Sequence, residues 1–154
     1  MRIALASDHA GYAEKERLKE LLADLGVEFD DLGTVSEESV DYPDYAIPVA
    51  QRVANGEADF GILICGTGIG MSIAANKVKG IRCALVHDVF SAKMTREHND
   101  TNILAMGERV IGPGLAREIT KTWLTTQFVG GRHENRICKI TEYENVSEPS
   151  LERK

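Results

Sequence analysis

The chain reads as an α/β protein, a Rossmann-like three-layer α/β/α sandwich around a five-stranded parallel sheet. Three observations lead there. Short apolar runs of strand length alternate with segments whose apolar residues recur at helical spacing, the pattern of βαβ units. The runs are nearly continuous in apolar character, as in strands covered on both faces. Finally, 154 residues, 43% hydrophobic and 27% charged, suit one domain burying roughly 65–70% of its unfolded surface.

Taken in order, Arg2-Ile3-Ala4-Leu5-Ala6 is the first buried strand, and Ser7-Asp8-His9-Ala10-Gly11 is a polar turn. Leu18, Leu21, Leu22 and Leu25 then share one helical face, and Gly26 supplies the stop. A strand over 27–32 precedes a helix opened by Pro43, with Ala46, Val49, Ala50 and Val53 on its apolar face. Asn55-Gly56 ends it. Phe60-Gly61-Ile62-Leu63-Ile64 is the clearest buried strand and runs into Cys65-Gly66-Thr67-Gly68-Ile69-Gly70. A small-residue helix over 69–77 and a strand at Cys83-Ala84-Leu85-Val86 follow. Asp88 reads as the N-cap of a helix over 89–98. Ile103-Leu104-Ala105-Met106 is the fifth strand, and Pro113 opens a helix carrying Leu115, Ile119 and Trp123. A last helix spans about 133–145, with Ile137 and Ile140 on one side. Residues 1–146 form the single domain, and 147–154 read as a flexible tail.

Composition excludes several classes. A net charge of −6 argues against a nucleic-acid partner, which favours a basic face. No apolar run approaches the roughly 18 residues of a membrane span, so no membrane partner is expected. Asp8 interrupts the start too early for a secretory signal core. Cys65, Cys83 and Cys138 are odd in number and lack metal-type spacing, which suits reduced thiols in the cytoplasm and no metal.

In a parallel sheet, ligands bind at the carboxyl ends of strands where the strand order reverses. The loops at 7–11, 65–70, 87–88 and 107–112 are therefore the candidates. Cys65 to Gly70 carries the strongest signal. Glycines there let backbone N–H groups of Gly66, Thr67, Gly68, Ile69 and Gly70 approach an anion, and the helix start adds positive partial charge. The same field favours a thiolate at Cys65, usable as a base or nucleophile. The plain alternative is a tight turn with an inert buried cysteine. The spacing fits none of three known loops: Met71 stands where a Walker A loop needs its second glycine and a cysteine-phosphatase loop its arginine, and Gly66-x-Gly68-x-Gly70 is not the G-x-G-x-x-G of a dinucleotide fingerprint.

Asp8 and His9 end the first strand, suited either to a sugar hydroxyl and a phosphate or to capping the next helix. His98, followed by Asn99, is a candidate for proton transfer near neutral pH. His87 and His133 read as structural or solvated. Arg132 and Arg136 stand four apart, so two guanidinium forks on one helical face would grip a phosphate, or simply be solvated. Arg109 follows the fifth strand, where a ligand loop belongs.

Together, Asp8-His9-Ala10-Gly11, Asp41-Tyr42-Pro43-Asp44, Cys65-Gly66-Thr67-Gly68-Ile69-Gly70, Ala75-Asn76-Lys77, Glu97-His98-Asn99-Asp100 and Arg132…Arg136 resemble the type B ribose-5-phosphate isomerases. The galactose-6-phosphate isomerase subunits belong to the same family. The likeness runs to about residue 145 with the motifs in order. It implies an isomerase without metal or cofactor, interconverting ribose 5-phosphate and ribulose 5-phosphate through a cis-enediolate. It further implies a homodimer with shared active sites, the C-terminal helix packing on the partner, and leaves a dimer of dimers open. By that resemblance Cys65 is the base, Thr67 orients or polarises the reacting region, and His98 opens the furanose ring with help from Asp8. Asn99 would hold sugar hydroxyls, and His9, Arg109, Arg132 and Arg136 the phosphate. One branch of the family has glycine at the position of Cys65 and glutamate at that of Met71, so this chain falls in the cysteine branch. A six-carbon phosphosugar substrate, or a sensor that binds without turnover, remain the competing expectations.

Overall fold

The computed structural model describes residues 1–146; the tail 147–154, expected to be flexible, lies outside the described residues. In chain order the elements are β1 (Arg2–Ser7), a 3-10 turn (His9–Gly11), α1 (Tyr12–Asp24), β2 (Glu28–Asp31), α2 (Pro43–Ala54) and β3 (Phe60–Cys65). There follow α3 (Ile69–Ala75), β4 (Cys83–Leu85), α4 (Val89–Asn99), β5 (Ile103–Gly107), α5 (Pro113–Thr125) and α6 (Arg132–Val146). The five strands form one parallel sheet in the order β2-β1-β3-β5-β4. This is the three-layer α/β/α arrangement expected from the alternation of elements.

The strands alternate their side chains between two cores, as a pleated sheet must. Ile3, Leu5, Ile62, Ile64, Leu104 and Met106 face Leu18, Leu21 and Leu22 of α1, Ala92 of α4, and Ile119 and Trp123 of α5. Ala4, Ala6, Leu63, Cys65, Ile103 and Ala105 face Ala46, Val49 and Ala50 of α2 and Met71 and Ala75 of α3. The small residues on the second side admit α2 and α3 close to the sheet. Helix α6 lies outside both layers, against α4.

Local signals act where expected. Pro43 and Pro113 occupy the first turns of α2 and α5. The Asp88 side chain accepts from the Ser91 N–H at 2.7 Å, capping α4. Leu25 departs from the expected pattern: α1 stops at Asp24, so Leu25 falls at the cap and turns outward, 44% exposed. Ile140 likewise faces outward on α6.

Strand order decides where a ligand can sit. The chain leaving β1 turns to one side of the sheet to make β2, and the chain leaving β3 turns to the other. A crevice therefore opens between the carboxyl ends of β1 and β3, at Ser7-Asp8 and Cys65-Gly66.

Candidate active site

The two lips of this crevice are joined by backbone hydrogen bonds. Asp8 N–H donates to the Ile64 carbonyl at 3.2 Å, while Glu108 N–H and Arg109 N–H donate to the Cys65 and Gly66 carbonyls at 2.9 and 3.0 Å. The loops after β1, β3 and β5 thus form one surface. The side chain of Arg109 runs beside Gly66, where an added Cβ would lie 3.3 Å from Arg109 Cδ.

Cys65 is 5% exposed, and its sulfur accepts the Gly68 N–H at 3.0 Å, which holds it inside the glycine turn. Gly68 has φ +77°, and a Cβ there would lie 2.8 Å from the Met106 carbonyl carbon. Only glycine fits that position on both counts. Thr67 is exposed at the rim, its hydroxyl accepting the Ile69 N–H at 3.3 Å. Cys83 contrasts with Cys65: burial pushes its thiol up to about 12, which leaves it inert.

Asp8 is buried and does cap the following turn, its Oδ1 accepting from Ala10 and Gly11 N–H at 2.9 and 3.2 Å. Burial pushes its carboxyl above the ordinary range, while those two N–H groups and Arg109 pull it back. The half-buried His9 ring receives the Val40 N–H on Nδ1 at 3.2 Å.

The remaining predicted residues lie at the other end of the sheet. Helix α4 starts beyond the carboxyl end of β4 and runs back, so His98 and Asn99 arrive beside the start of β5. There the Asn99 and Asp100 carbonyls accept from Arg82, which precedes β4. Asp100 takes φ +44° and bridges Arg82 and Arg96 at 3.2 and 2.9 Å. Arg96 is itself buried, donates to the Thr101 carbonyl at 2.6 Å, and lies over the rings of Phe60 and Trp123. His98 stacks on His133 of α6 with centroids 4.1 Å apart and planes 8° from parallel. Burial, then the charges of His98, Arg132 and Arg136, hold the His133 imidazole below its ordinary value. Arg132 and Arg136 are exposed on the first turns of the same helix. Within one chain, then, Asp8, His9, the 65–70 loop and Arg109 come together, and His98, Asn99, Arg132 and Arg136 form a second group.

Two residues were not singled out as site residues from sequence. Tyr42 lays its ring on Gly70, where a Cβ would come within 2.8 Å of it, so it walls the glycine loop. Its place just before Pro43, within the Asp41-Tyr42-Pro43-Asp44 motif, is its signal in the sequence. His133 had been read as structural or solvated, and nothing local announces that it meets His98. His87 is half-buried beyond β4, its Nε2 without a hydrogen-bond partner among the described residues.

A doubly wound sheet whose switch point carries a thiol in a cradle of backbone N–H groups is the build of a small-molecule α/β enzyme. The chain belongs to the Ribose/Galactose Isomerase family, whose model matches residues 3–140. It is 69% identical to the putative sugar phosphate isomerase YwlF of Bacillus subtilis, over 94% of this chain and 97% of that protein. It is 51% identical to ribose-5-phosphate isomerase B of Escherichia coli, over 93% and 96% respectively. The solved Clostridium thermocellum ribose-5-phosphate isomerase B superposes with a TM-score of 0.95 at 53% identity, covering 96% of this chain and all of that one. The fold and the enzyme class expected from the sequence motifs are those of these relatives.

Proposed function

We propose that this isomerase interconverts ribose 5-phosphate and ribulose 5-phosphate, with Cys65 as the base. The observation that carries the reading is Cys65 Sγ held inside the glycine turn at the sheet's switch point. In the open-chain aldose the thiolate takes the C2 proton, and the electron pair moves onto O1 to give a cis-enediolate. The hydroxyl proton passes from O2 to O1, and the thiol returns its proton to C1. Charge developing on oxygen would meet the N–H groups of the 66–70 turn, with Thr67 at the rim to orient it. Because this step needs a reduced thiol, the reading places the protein in the cytoplasm.

His98 would open the furanose ring, with Asp8 assisting, and Asn99 would hold sugar hydroxyls. His9, Arg109, Arg132 and Arg136 would bind the phosphate. Since His98, Asn99, Arg132 and Arg136 lie at the far end of their own sheet, we assign them to the crevice of a second copy. That makes the working unit a homodimer, related by a twofold axis and carrying two mixed sites. Exposed apolar side chains at and just after the Cys65 loop, Ile69, Ile73 and Leu85, supply surface for such a contact, as does Phe90 at the start of α4, and α6 offers Ile140 and Val146.

The test is turnover of ribose 5-phosphate beside allose 6-phosphate and galactose 6-phosphate. The reading expects the highest kcat/KM on the five-carbon sugar. A higher value on a six-carbon sugar would reassign the substrate, and tight binding without turnover would make the protein a sensor.

A further inference from the structure

Residues 32–42 join β2 to α2 without regular structure, yet the segment is tied down along its length. Leu32 and Thr34 donate N–H bonds to the Leu5 and Ser7 carbonyls at 2.8 and 3.0 Å, continuing the pairing beside β1. Asp31 accepts the Gly33 N–H at 2.9 Å and the ammonium of Lys15 at 2.6 Å. The Lys15 side chain is 1% exposed and packs on Gly33, where a Cβ would lie 2.8 Å from Lys15 Cδ. A long connection held this firmly points to a task at its far end. At that end Val40 N–H reaches His9 Nδ1, and Tyr42 covers Gly70.

A neutral imidazole has one donor and one acceptor nitrogen. With Nδ1 spent as an acceptor, the proton sits on Nε2, and a doubly protonated ring would have no lone pair for Val40. Asp8 and Arg109, which interact across this turn, are opposite in sign, and Asp8 Oδ1 is committed to the Ala10 and Gly11 N–H groups. We infer that His9 serves the substrate as an uncharged donor through Nε2, in a tautomer fixed by the 32–42 loop. The charge that neutralises the phosphate then comes from the arginines, and His9 supplies direction. The substrate's identity rests on the function proposed above, but the tautomer belongs to the protein itself.

Two measurements test this. Protein labelled with 15N-histidine, saturated with inorganic phosphate near neutral pH, should show His9 protonated at Nε2 and bare at Nδ1; the resonance is assigned by its loss in His9→Asn. In parallel, the amide nitrogen of His9→Gln falls near Nε2, and that of His9→Asn near Nδ1. His9→Gln should weaken inorganic phosphate only severalfold, and His9→Asn about tenfold, the worth of roughly one hydrogen bond. In turnover the difference should lie in KM, not kcat. A ring protonated at Nδ1 or at both nitrogens, or an Asn variant binding as well as the Gln variant, would overturn the inference. If ribose 5-phosphate is not turned over, the phosphate titration and the tautomer still decide it, so the two failures are distinguishable.

Discussion

The two halves of the candidate site are held by different means. Around Cys65 the work is done by the backbone: strand ends fix Asp8, Glu108 and Arg109 through N–H bonds to the carbonyls of Ile64, Cys65 and Gly66. Around His98 it is done by side chains. Arg82 grips the Asn99 and Asp100 carbonyls, Arg96 grips Asp100 and Thr101, and His133 stacks on His98. Backbone bonds survive most substitutions, whereas a cluster of ion pairs fails when one member is removed. The thiol cradle should therefore be tolerant in structure and intolerant in chemistry, and the histidine end should be sensitive in both.

The largest effect expected is on turnover. Cys65→Ala and His98→Asn should each lower kcat roughly 10²–10⁴-fold, the span of a lost acid or base. If the halves meet across a twofold axis, a heterodimer of the two variants holds one intact site. Co-expressed with different tags and purified through both, it should recover about half of wild-type activity. An inactive heterodimer would show that the thiol and the histidine do not belong to opposite subunits.

A pair of arginines, one in each half, sharpens the contrast. Arg96 is buried, donates at 2.6 and 2.9 Å, and lies 4.7 Å from the Phe60 ring centroid. Arg96→Leu should cost about 2–4 kcal/mol, lost hydrogen bonds and an orphaned carbonyl together. Thermal unfolding would then fall by on the order of 5–10 °C. Arg109 is exposed beside Gly66, so Arg109→Leu should change stability by less than about 0.5 kcal/mol and act on KM instead. Equal losses of stability would erase the distinction between the halves.

The same division governs what the sequence discloses. Strands and helices were legible because their apolar residues repeat at periods of two and 3.6, and capping residues such as Pro43, Asp88 and Pro113 mark the ends. The 65–70 loop was legible as a turn because three glycines stand between a buried strand and a helical pattern, though that spacing alone left open whether its cysteine is inert. Strand order was not, since the alternation of elements permits several crossovers. The stack of His98 on His133 was hidden too, because it requires α6 to fold back on α4, which no local pattern records. Tyr42 lay hidden for a like reason: its partner is a glycine, visible only where a side chain is missing. Of the two readings offered for Asp8, the structure bears out the cap on the turn, and it places the residue buried at the crevice.

Asp8 supplies a smaller test, on the backbone-built side. Burial raises its carboxyl above the ordinary value of about 3.9, so the folded state holds that proton more tightly than the unfolded chain. Stability from this group is then greatest below that ordinary value and declines as pH rises through the raised one. Asp8→Asn keeps a carbonyl oxygen for Ala10 and Gly11 and removes the titration. Its melting temperature relative to wild type should therefore climb with pH across the acid range and match or exceed wild type at neutrality, while activity falls. A difference independent of pH would mean that burying the Asp8 carboxylate carries no cost.

The smallest effect belongs to the histidine end and runs with the opposite sign. His133 is held below its ordinary value of about 6.5, by burial and then by His98, Arg132 and Arg136. The folded state therefore binds fewer protons than the unfolded chain, and stability falls as pH drops from that ordinary value toward the lowered one. Phenylalanine can keep a flat ring against His98 but cannot take up a proton. His133→Phe should thus match wild type above neutrality and lose less stability on acidification to about pH 5, as the imidazole's titration range sets. Thermal melts of both proteins across that range give the comparison. Parallel curves would place the acid sensitivity elsewhere, and with it the notion that α6 is seated on α4 through an uncharged ring. A flatter curve for the variant would tie that seat, and the His98 it carries, to the protonation of one buried side chain.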